Sequence, residues 1–260
     1  MNPGLNIVAL IPARYASTRL HAKPLIDLCG KPMIQRVYEQ AKKAKLVTRV
    51  IVATDHEAIA DAARKFGGEV VMTPKWIRSG SDRIAHVAQS LPDADIIVNV
   101  QGDEPLIAPQ MIDEAIQPLA EDRTICCGTL VKKISSAEEL TNPGVVKVVI
   151  DAGGSAIYFS RSPIPYLRDG IDIGQWHEQH CYYKHIGLYV FQKDFLLQFS
   201  SWPESTLEQI EKLEQLRILH HGYKIKATIT SFDSIPVDTA EDAERVRQIL
   251  RQQSSISKHE

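Results

Sequence analysis

The apolar positions of the first hundred residues switch between two periods. Asn6 to Ile11 is a short, almost wholly apolar run, which predicts a buried strand ended by Pro12. From Pro32 the pattern turns amphipathic through Lys45, with Met33, Ile34, Val37, Tyr38 and Ala41 on one helical face. Proline suits the first helical turn, where its missing N–H has no partner to lose. Arg49 to Thr54 reads as a second strand. Asp55 reads as the cap of a helix that runs to Phe66 and stops at Gly67 and Gly68. Glu69 to Met72 is a short third strand, Ser81 to Gln89 a helix, and Asp95 to Val100 a strand apolar on both faces. Such strands separated by helices imply a parallel sheet covered on both sides.

The middle of the chain changes character. Thr124 to Val131, Val145 to Asp151, Ala156 to Ser160 and His185 to Phe191 are β-rich, with Gly153 and Gly154 as a hairpin signal. Between them the polar, aromatic and proline-rich stretch Pro163 to Tyr183 reads as an irregular excursion from the core. Helical period returns at Leu207, Ile210, Leu213 and Leu216 and ends at Gly222. A strand near Lys224 to Thr230 and a helix from Ala240 to Arg251 follow, and the polar residues 252–260 read as a frayed tail.

Composition narrows the picture. With 260 residues, 44% hydrophobic and 24% charged, the chain fits one large soluble α/β unit, or a core with one inserted subdomain, and not a disordered protein. A net charge of -2 excludes the strong basic excess of a protein that grips nucleic acid through its phosphates. Cys29, Cys126, Cys127 and Cys181 form no C-x-x-C motif and read as free thiols of a reducing compartment. No signal peptide and no membrane-spanning run is evident, so a cytoplasmic protein is expected.

In open α/β sheets ligands sit beyond the carboxyl ends of the strands. After the first strand comes a small-residue-rich loop carrying Arg14, Arg19 and Lys23. Three cations there suit a polyphosphate, although the loop is neither a Walker A nor a G-x-G-x-x-G. After the fourth strand comes Gln101, Gly102, Asp103, Glu104, Pro105. Carboxylates at the end of an apolar strand are costly unless they pair with cations or hold metal, and one or two suffice for Mg²⁺ on a nucleotide phosphate. Near Asp238, the same residues allow a second metal ligand or a plain helix start, with Asp238 or Thr239 as N-cap and Asp242 in the first turn. Ser79 and Gly80 open a helix, either as a simple start or as exposed polar groups for a base edge. Arg161, Arg168 and His185 flank the β-rich middle, as an acidic acceptor would need. Glu208, Glu211 and Glu214 lie at helical spacing, read either as a solvated face or, for Glu211 and Glu214, as hydrogen-bond partners of sugar hydroxyls.

Taken together the motifs are specific. I-P-A-R-Y-A-S-T-R-L at Ile11 to Leu20, K-P-L at Lys23 to Leu25, G-K-P-M-I at Gly30 to Ile34 and V-A-T-D at Val52 to Asp55 stand in order. V-N-V-Q-G-D-E-P at Val98 to Pro105, V-K-V-V at Val146 to Val149, Y-F-S-R at Tyr158 to Arg161, H-I-G-L-Y at His185 to Tyr189, L-E-Q-L-R at Leu213 to Arg217 and V-D-T at Val237 to Thr239 follow. From Asn6 to Arg251 the chain resembles the 3-deoxy-manno-octulosonate (Kdo) cytidylyltransferases. The resemblance implies a Rossmann-like nucleotidyltransferase core, a mixed and mostly parallel sheet with helices on both faces, as a single domain over 1–260. It implies a β-rich inserted dimerisation subdomain near 155–190, and hence a homodimer. The implied reaction joins CTP and Kdo into CMP-Kdo and pyrophosphate with Mg²⁺, for lipopolysaccharide synthesis, without nucleic acid or membrane. Arg14, Arg19 and Lys23 match the triphosphate loop, Asp103 and Asp238 the Mg²⁺ ligands, and Ser79 and Gly80 the cytosine-reading segment. Arg14, Lys23, Asp103 and Asp238 would carry the catalysis. Gln101, Arg161, Arg168, His185, Glu211 and Glu214 match or adjoin the sugar-acid contacts. Two departures stand out. The family's L-P-G-K-P-L is here Leu20, His21, Ala22, Lys23, Pro24, Leu25, and its S-G-T-E-R is Ser79 to Arg83 with Ser81 and Asp82. The rival readings are a cytidylyltransferase for 8-amino-Kdo or sialic acid, and a nucleotide-sensing subunit without catalysis.

Overall fold

A computed structural model describes residues 4–16, 20–77, 79–169 and 172–256. In chain order the elements are β1 (Ile7–Ala13), a 3-10 turn (Lys23–Leu25), α1 (Met33–Lys43), β2 (Arg49–Thr54), α2 (Glu57–Lys65), β3 (Glu69–Met72), α3 (Gly80–Ala88), β4 (Ile96–Asn99) and α4 (Pro109–Glu121). There follow β5 (Cys127–Lys133), α5 (Ala137–Thr141), β6 (Lys147–Ile150), β7 (Ala156–Ser160), a second 3-10 turn (Ile173–Gln175), α6 (Trp176–Gln179) and β8 (Tyr183–Gln192). The chain closes with α7 (Lys193–Ser201), α8 (Thr206–Glu211), α9 (Gln215–His220), β9 (Lys226–Ile229) and α10 (Ala240–Ile256). The chain divides into two compact units. One spans Gly4–Asp113 and the described C-terminal residues from Asp233, and the other spans Glu114–Phe232.

In the terminal unit, β1 pairs in parallel with β2 on one side and β4 on the other, and β3 pairs in parallel with β2. The order β3-β2-β1-β4 puts the reversal of winding between β1 and β4, where such sheets open a ligand crevice. Val8 to Ile11 and Ile96 to Val98 are fully buried, as two-sided coverage requires. The face of α1 expected to be buried is the one that is: Met33, Ile34, Val37, Tyr38 and Ala41. Val246 and Leu250 of α10 return to pack on Leu28, Met33 and Val237, so the end of the chain completes the unit that its beginning starts. The residues read as a frayed tail continue α10 to Ile256, and residues 257–260 lie outside the described set.

Pro12 does not end β1, which pairs with β2 through Ala13. Even-numbered residues of β1 face β4, as the bond from the Val100 N–H to the Leu10 carbonyl shows. The missing N–H of Pro12 therefore falls where β4 has already finished, and no ladder bond is lost. Pro32 sits one position earlier than expected, as the extended N-cap of α1. Asp55 does not cap α2; His56 does, its Nδ1 accepting from the Ala58 N–H at 3.2 Å. Asp55 is drawn inward by the buried Arg83 guanidinium, Nη2 to Oδ2 2.9 Å.

In the middle unit β5 pairs antiparallel with β8 and parallel with β9, while β6 pairs antiparallel with β7 and with the start of β8. The expected hairpin turn lies between β6 and β7, with Gly154 at φ 74°, a conformation open to glycine at little cost. The Pro163 to Tyr183 excursion carries the second 3-10 turn and α6. It is anchored by Trp176 and Tyr182, which cluster with Ile134 and Leu140. The helix expected from Leu207 to Gly222 is two helices. Lys212 takes a left-handed φ of 53° and ends α8. Only Leu213 and Leu216 of the four periodic positions are buried, and Ile210 is 73% exposed. Glu208 belongs to no solvated face: it is buried, closes a capping box with Ser205 and pairs with Arg217, Nε to Oε2 2.7 Å. Helices α4, α5 and α7 carry no expectation from the sequence. Pro118 lies inside α4, and α5 is too short for a period to register.

Candidate active site

Two loops leave the crevice between β1 and β4. Pro12, Ala13, Arg14, Ala16, Lys23 and Pro24 from the first, with Gln101, Gly102 and Asp103 from the second, line a cavity of about 390 Å³ together with Gly80 and Asp238. Gly102 is required by this convergence. A Cβ there would lie 2.7 Å from the Pro12 carbonyl oxygen. Lys23 begins the 3-10 turn, directly after Ala22 at φ 50° and ψ 35°. A non-glycine residue in this left-handed conformation costs about 1–2 kcal/mol, so the base of the cation loop carries a strained residue.

The centre of the cavity is an ion triad. Lys23 Nζ donates to Asp103 Oδ2 at 2.6 Å and to Asp238 Oδ1 at 2.9 Å. Burial opposes the charge on Lys23, but the two carboxylates outweigh it and raise its pKa above the ordinary lysine value. The Val237 N–H donates to the Asp103 carbonyl at 2.9 Å, so residues 134 positions apart arrive side by side. The choice of cap for α10 falls to Thr239. Its hydroxyl accepts from the Asp242 N–H, and Asp242 accepts from the N–H groups of Asp238 and Thr239. Burial works against ionised Asp242, yet these donors lower its pKa. Asp238 is thereby released from capping, and its carboxylate turns to Lys23. The acidic pair after β4 divides likewise. Asp103 faces the cavity, while Glu104 is buried and its pKa is raised by that burial, and by Asp103 and Asp233, to about 7.

Among the described residues no group of three or more His, Cys, Asp or Glu converges to hold a metal alone. Two carboxylates meeting on one cationic atom do fit an ion such as Mg²⁺, which completes its shell with water and substrate phosphate. Arg19 lies outside the described residues. Ser79 caps α3, accepting from the Asp82 N–H at 3.0 Å, and Gly80 lines the cavity beside Pro12. Behind them lies the last residue of the Ser79 to Arg83 motif, to which the sequence assigned no role. Arg83 is fully buried and bonds Asp55, Thr73 and the Ile77 carbonyl, tying the approach to α3 to the ends of β2 and β3. His21 meets Tyr15 edge to face, and Tyr15 stacks on His56 at 3.7 Å between centroids.

Apart from Gln101, which lines the cavity above, the sugar-acid candidates belong to the middle unit. Glu211 Oε1 accepts from the Ser160 hydroxyl at 2.6 Å and Oε2 from the Arg161 N–H at 3.0 Å. The Arg161 guanidinium donates to the carbonyls of Glu211 at 2.7 Å, Pro143 at 3.0 Å and Lys212 at 3.4 Å. This explains the helix break: the left-handed Lys212 stops α8 and leaves two carbonyls for Arg161. His185 is held by Thr129, whose Oγ1 lies 2.9 Å from Nε2 and 2.8 Å from the Leu188 carbonyl. One hydroxyl has one proton. If it goes to Leu188, Nε2 carries the imidazole hydrogen and Nδ1 is left as an acceptor. Burial lowers the His185 pKa to about 3, so the ring is neutral at pH 7 and offers hydrogen bonds, not charge. Glu214 is half-buried and raises the pKa of Tyr189, after the larger effects of burial and Cys127. Arg168 is exposed and, among the described residues, takes no part in this network. Beside Ser160 in the β6–β7 register stands Lys147, fully buried in an otherwise apolar strand. A lysine inside V-K-V-V was the one signal for it.

A family model described as cytidylyltransferase matches residues 8–225. The 3-deoxy-manno-octulosonate cytidylyltransferase of Geotalea uraniireducens is 52% identical over 256 residues, covering 95% of this chain and 100% of the relative. That of Geobacter metallireducens is 52% identical over 251 residues, covering 93% and 96%. A solved CMP:2-keto-3-deoxy-manno-octonic acid synthetase complexed with CTP superposes with a TM-score of 0.89 at 42% identity, covering 95% of this chain and 99% of that one. A 4-diphosphocytidyl-2C-methyl-D-erythritol synthase from Anaerococcus prevotii, at 15% identity and a TM-score of 0.63, shares the fold alone. The core is thus a Rossmann-like nucleotidyltransferase fold, and end-to-end identity of this size with enzymes of one activity leaves no doubt of kinship: the chain belongs to the cytidylyltransferase family, among the 3-deoxy-manno-octulosonate cytidylyltransferases.

Proposed function

We propose that the protein joins CTP and Kdo into CMP-Kdo and pyrophosphate, and so activates Kdo for lipopolysaccharide synthesis. The observation that carries the reading is the Lys23–Asp103–Asp238 triad at the mouth of the β1–β4 crevice, in a chain 52% identical to enzymes of that name. The anomeric hydroxyl of Kdo attacks the α-phosphorus in line, the bond to the β-phosphate oxygen breaks, and pyrophosphate leaves. Arg14 and Lys23 bind the triphosphate and offset its charge as the leaving group departs. Asp103 and Asp238 are the residues that would hold Mg²⁺. When bound, the ion supplies phosphate neutralisation and a more acidic attacking hydroxyl. Ser79 and Gly80 present the start of α3 to the base. Arg161 binds the sugar carboxylate, and neutral His185 accepts from a sugar hydroxyl. Holding two reactants in line is worth about 7–11 kcal/mol in favourable cases, and no covalent enzyme intermediate is needed.

Segment 155–190 serves as the dimer contact in this reading. Exposed Ile157 and Tyr166, at 58% and 77%, support it, and sedimentation at working concentration checks it. In this reading the enzyme works on free substrates in the cytoplasm. Among the described residues no helix is long and apolar enough to cross a membrane. The test of function is Mg²⁺-dependent pyrophosphate release from CTP with Kdo, 8-amino-Kdo or sialic acid as acceptor. Release with Kdo, abolished in Asp103→Ala, supports the reading. Release only with another acid moves the substrate. No release with any acceptor despite CTP binding overturns catalysis in favour of a sensor.

A further inference from the structure

The middle unit holds a buried charge that the proposed chemistry leaves unused. Lys147 is fully buried at the start of β6. Its Nζ donates to the carbonyls of Val145 at 2.6 Å and Asn142 at 2.9 Å. Among the described residues it makes no salt bridge. An ammonium buried on neutral acceptors is a poor device for stability, because desolvation costs more than two carbonyls return and an apolar side chain would serve as well.

The two carbonyls bracket Pro143 and Gly144. Pro143 is exposed, and its carbonyl takes one arm of Arg161. Lys147 therefore staples the short turn that fixes this guanidinium. The two cations also feel each other. After burial itself, the charge of Arg161 is the next cause lowering the Lys147 pKa, and Glu211 only partly offsets it. Two like charges are held together on backbone dipoles, and an anion arriving at Arg161 relieves the strain.

The geometry points to Lys147 as a positioning residue for the sugar acid: it pins the Asn142–Val145 turn that aims Arg161, and it adds a second positive charge behind that guanidinium, so that the pair favours a carboxylate-bearing substrate. This rests on the reading of the protein as a Kdo cytidylyltransferase.

The test is Lys147→Met, which keeps the length and removes the charge and donors. The expected result is a KM for Kdo raised about tenfold or more, with KM for CTP within about twofold and kcat at saturating Kdo within about threefold. A merely structural role would instead lower kcat and Tm and leave KM for Kdo unchanged, and that result overturns the inference. CTP binding by titration reports whether the variant has folded. If it has not, Pro143→Gly loosens the same turn from the surface with Lys147 in place. There, KM for Kdo raised about threefold or more supports the inference, and an unchanged KM overturns it. If the wild type makes no product from Kdo, the functional reading falls and this inference with it. If the wild type turns over and the variants keep its KM, the inference falls alone.

Discussion

Two regions of this protein bury cations, and they hold them in opposite ways. In the terminal unit Lys23 lies between the carboxylates of Asp103 and Asp238. In the middle unit Lys147 and Arg161 rest on backbone carbonyls, with Glu211 engaged by Ser160 and a backbone N–H. The difference matches what each must receive. A triad with two carboxylates is complete without ligand and suits an incoming polyphosphate with its own cation, because carboxylates and ammonium can exchange partners. Cations on neutral dipoles keep a net positive field and suit a lone carboxylate, which arrives without a counter-ion. The lesson is that a basic residue near a site says little until its acceptors are known.

Removing a carboxylate from the terminal triad separates the two regions most sharply. Asp103→Ala should lower kcat by about 10³-fold or more while the fold and KM for Kdo persist, measured by pyrophosphate release. A large change in KM for Kdo would show that the regions are not independent. Gly102→Ala comes next. Its Cβ has no room beside the Pro12 carbonyl, so Asp103 must move. The expected loss is about 1–3 kcal/mol, read as a drop of about five- to 150-fold in kcat/KM at constant Kdo.

In the middle unit the neutral acceptor His185 can be tested by pH. Its folded pKa of about 3 lies below the usual 6.5. Between those values the unfolded chain binds a proton that the folded chain refuses, so stability is present above pH 6.5 and lost as pH falls toward 3. Denaturant melts at pH 7 and pH 5 should differ by about 1–2 kcal/mol from this residue, and His185→Asn should flatten that slope. An unchanged slope would mean the imidazole is charged in the fold, which would blur the contrast between its role and that of Arg161. The smallest effect belongs to Ala22. Ala22→Gly relieves a left-handed φ and should raise stability by up to about 1 kcal/mol. If Tm falls instead, the glycine's freedom in the unfolded chain outweighs the relief.

Much of this architecture is legible in the residues. The α1 face, β2, β3 and β7, the hairpin at Gly154 and the loops after β1 and β4 all follow from local pattern, because burial of alternate or periodic apolar positions is decided over a few residues. Identity of motif in order carried the reading of Arg14, Lys23, Asp103 and Asp238 as a set. Local pattern misled where a distant partner intervened. Asp55 left its capping position for Arg83, 28 residues away. The helix from Leu207 broke at Lys212, where Arg161 takes the freed carbonyls.

The sequence by itself determined the fold class, the family and which side chains are chemically capable of the reaction, since these depend on residue identity and short-range periodicity. Tertiary structure alone decided what each charge is worth. Asp103 and Asp238 meet on one ammonium because the chain crosses back after β3 and its C-terminal helix returns to the first unit. Glu104 is kept near neutrality, and His185 uncharged, by burial that no local pattern encodes. Lys147 became visible only when its acceptors proved to be carbonyls, because the energy of a charge is set by the dipoles and charges around it, and those come from residues far away along the chain.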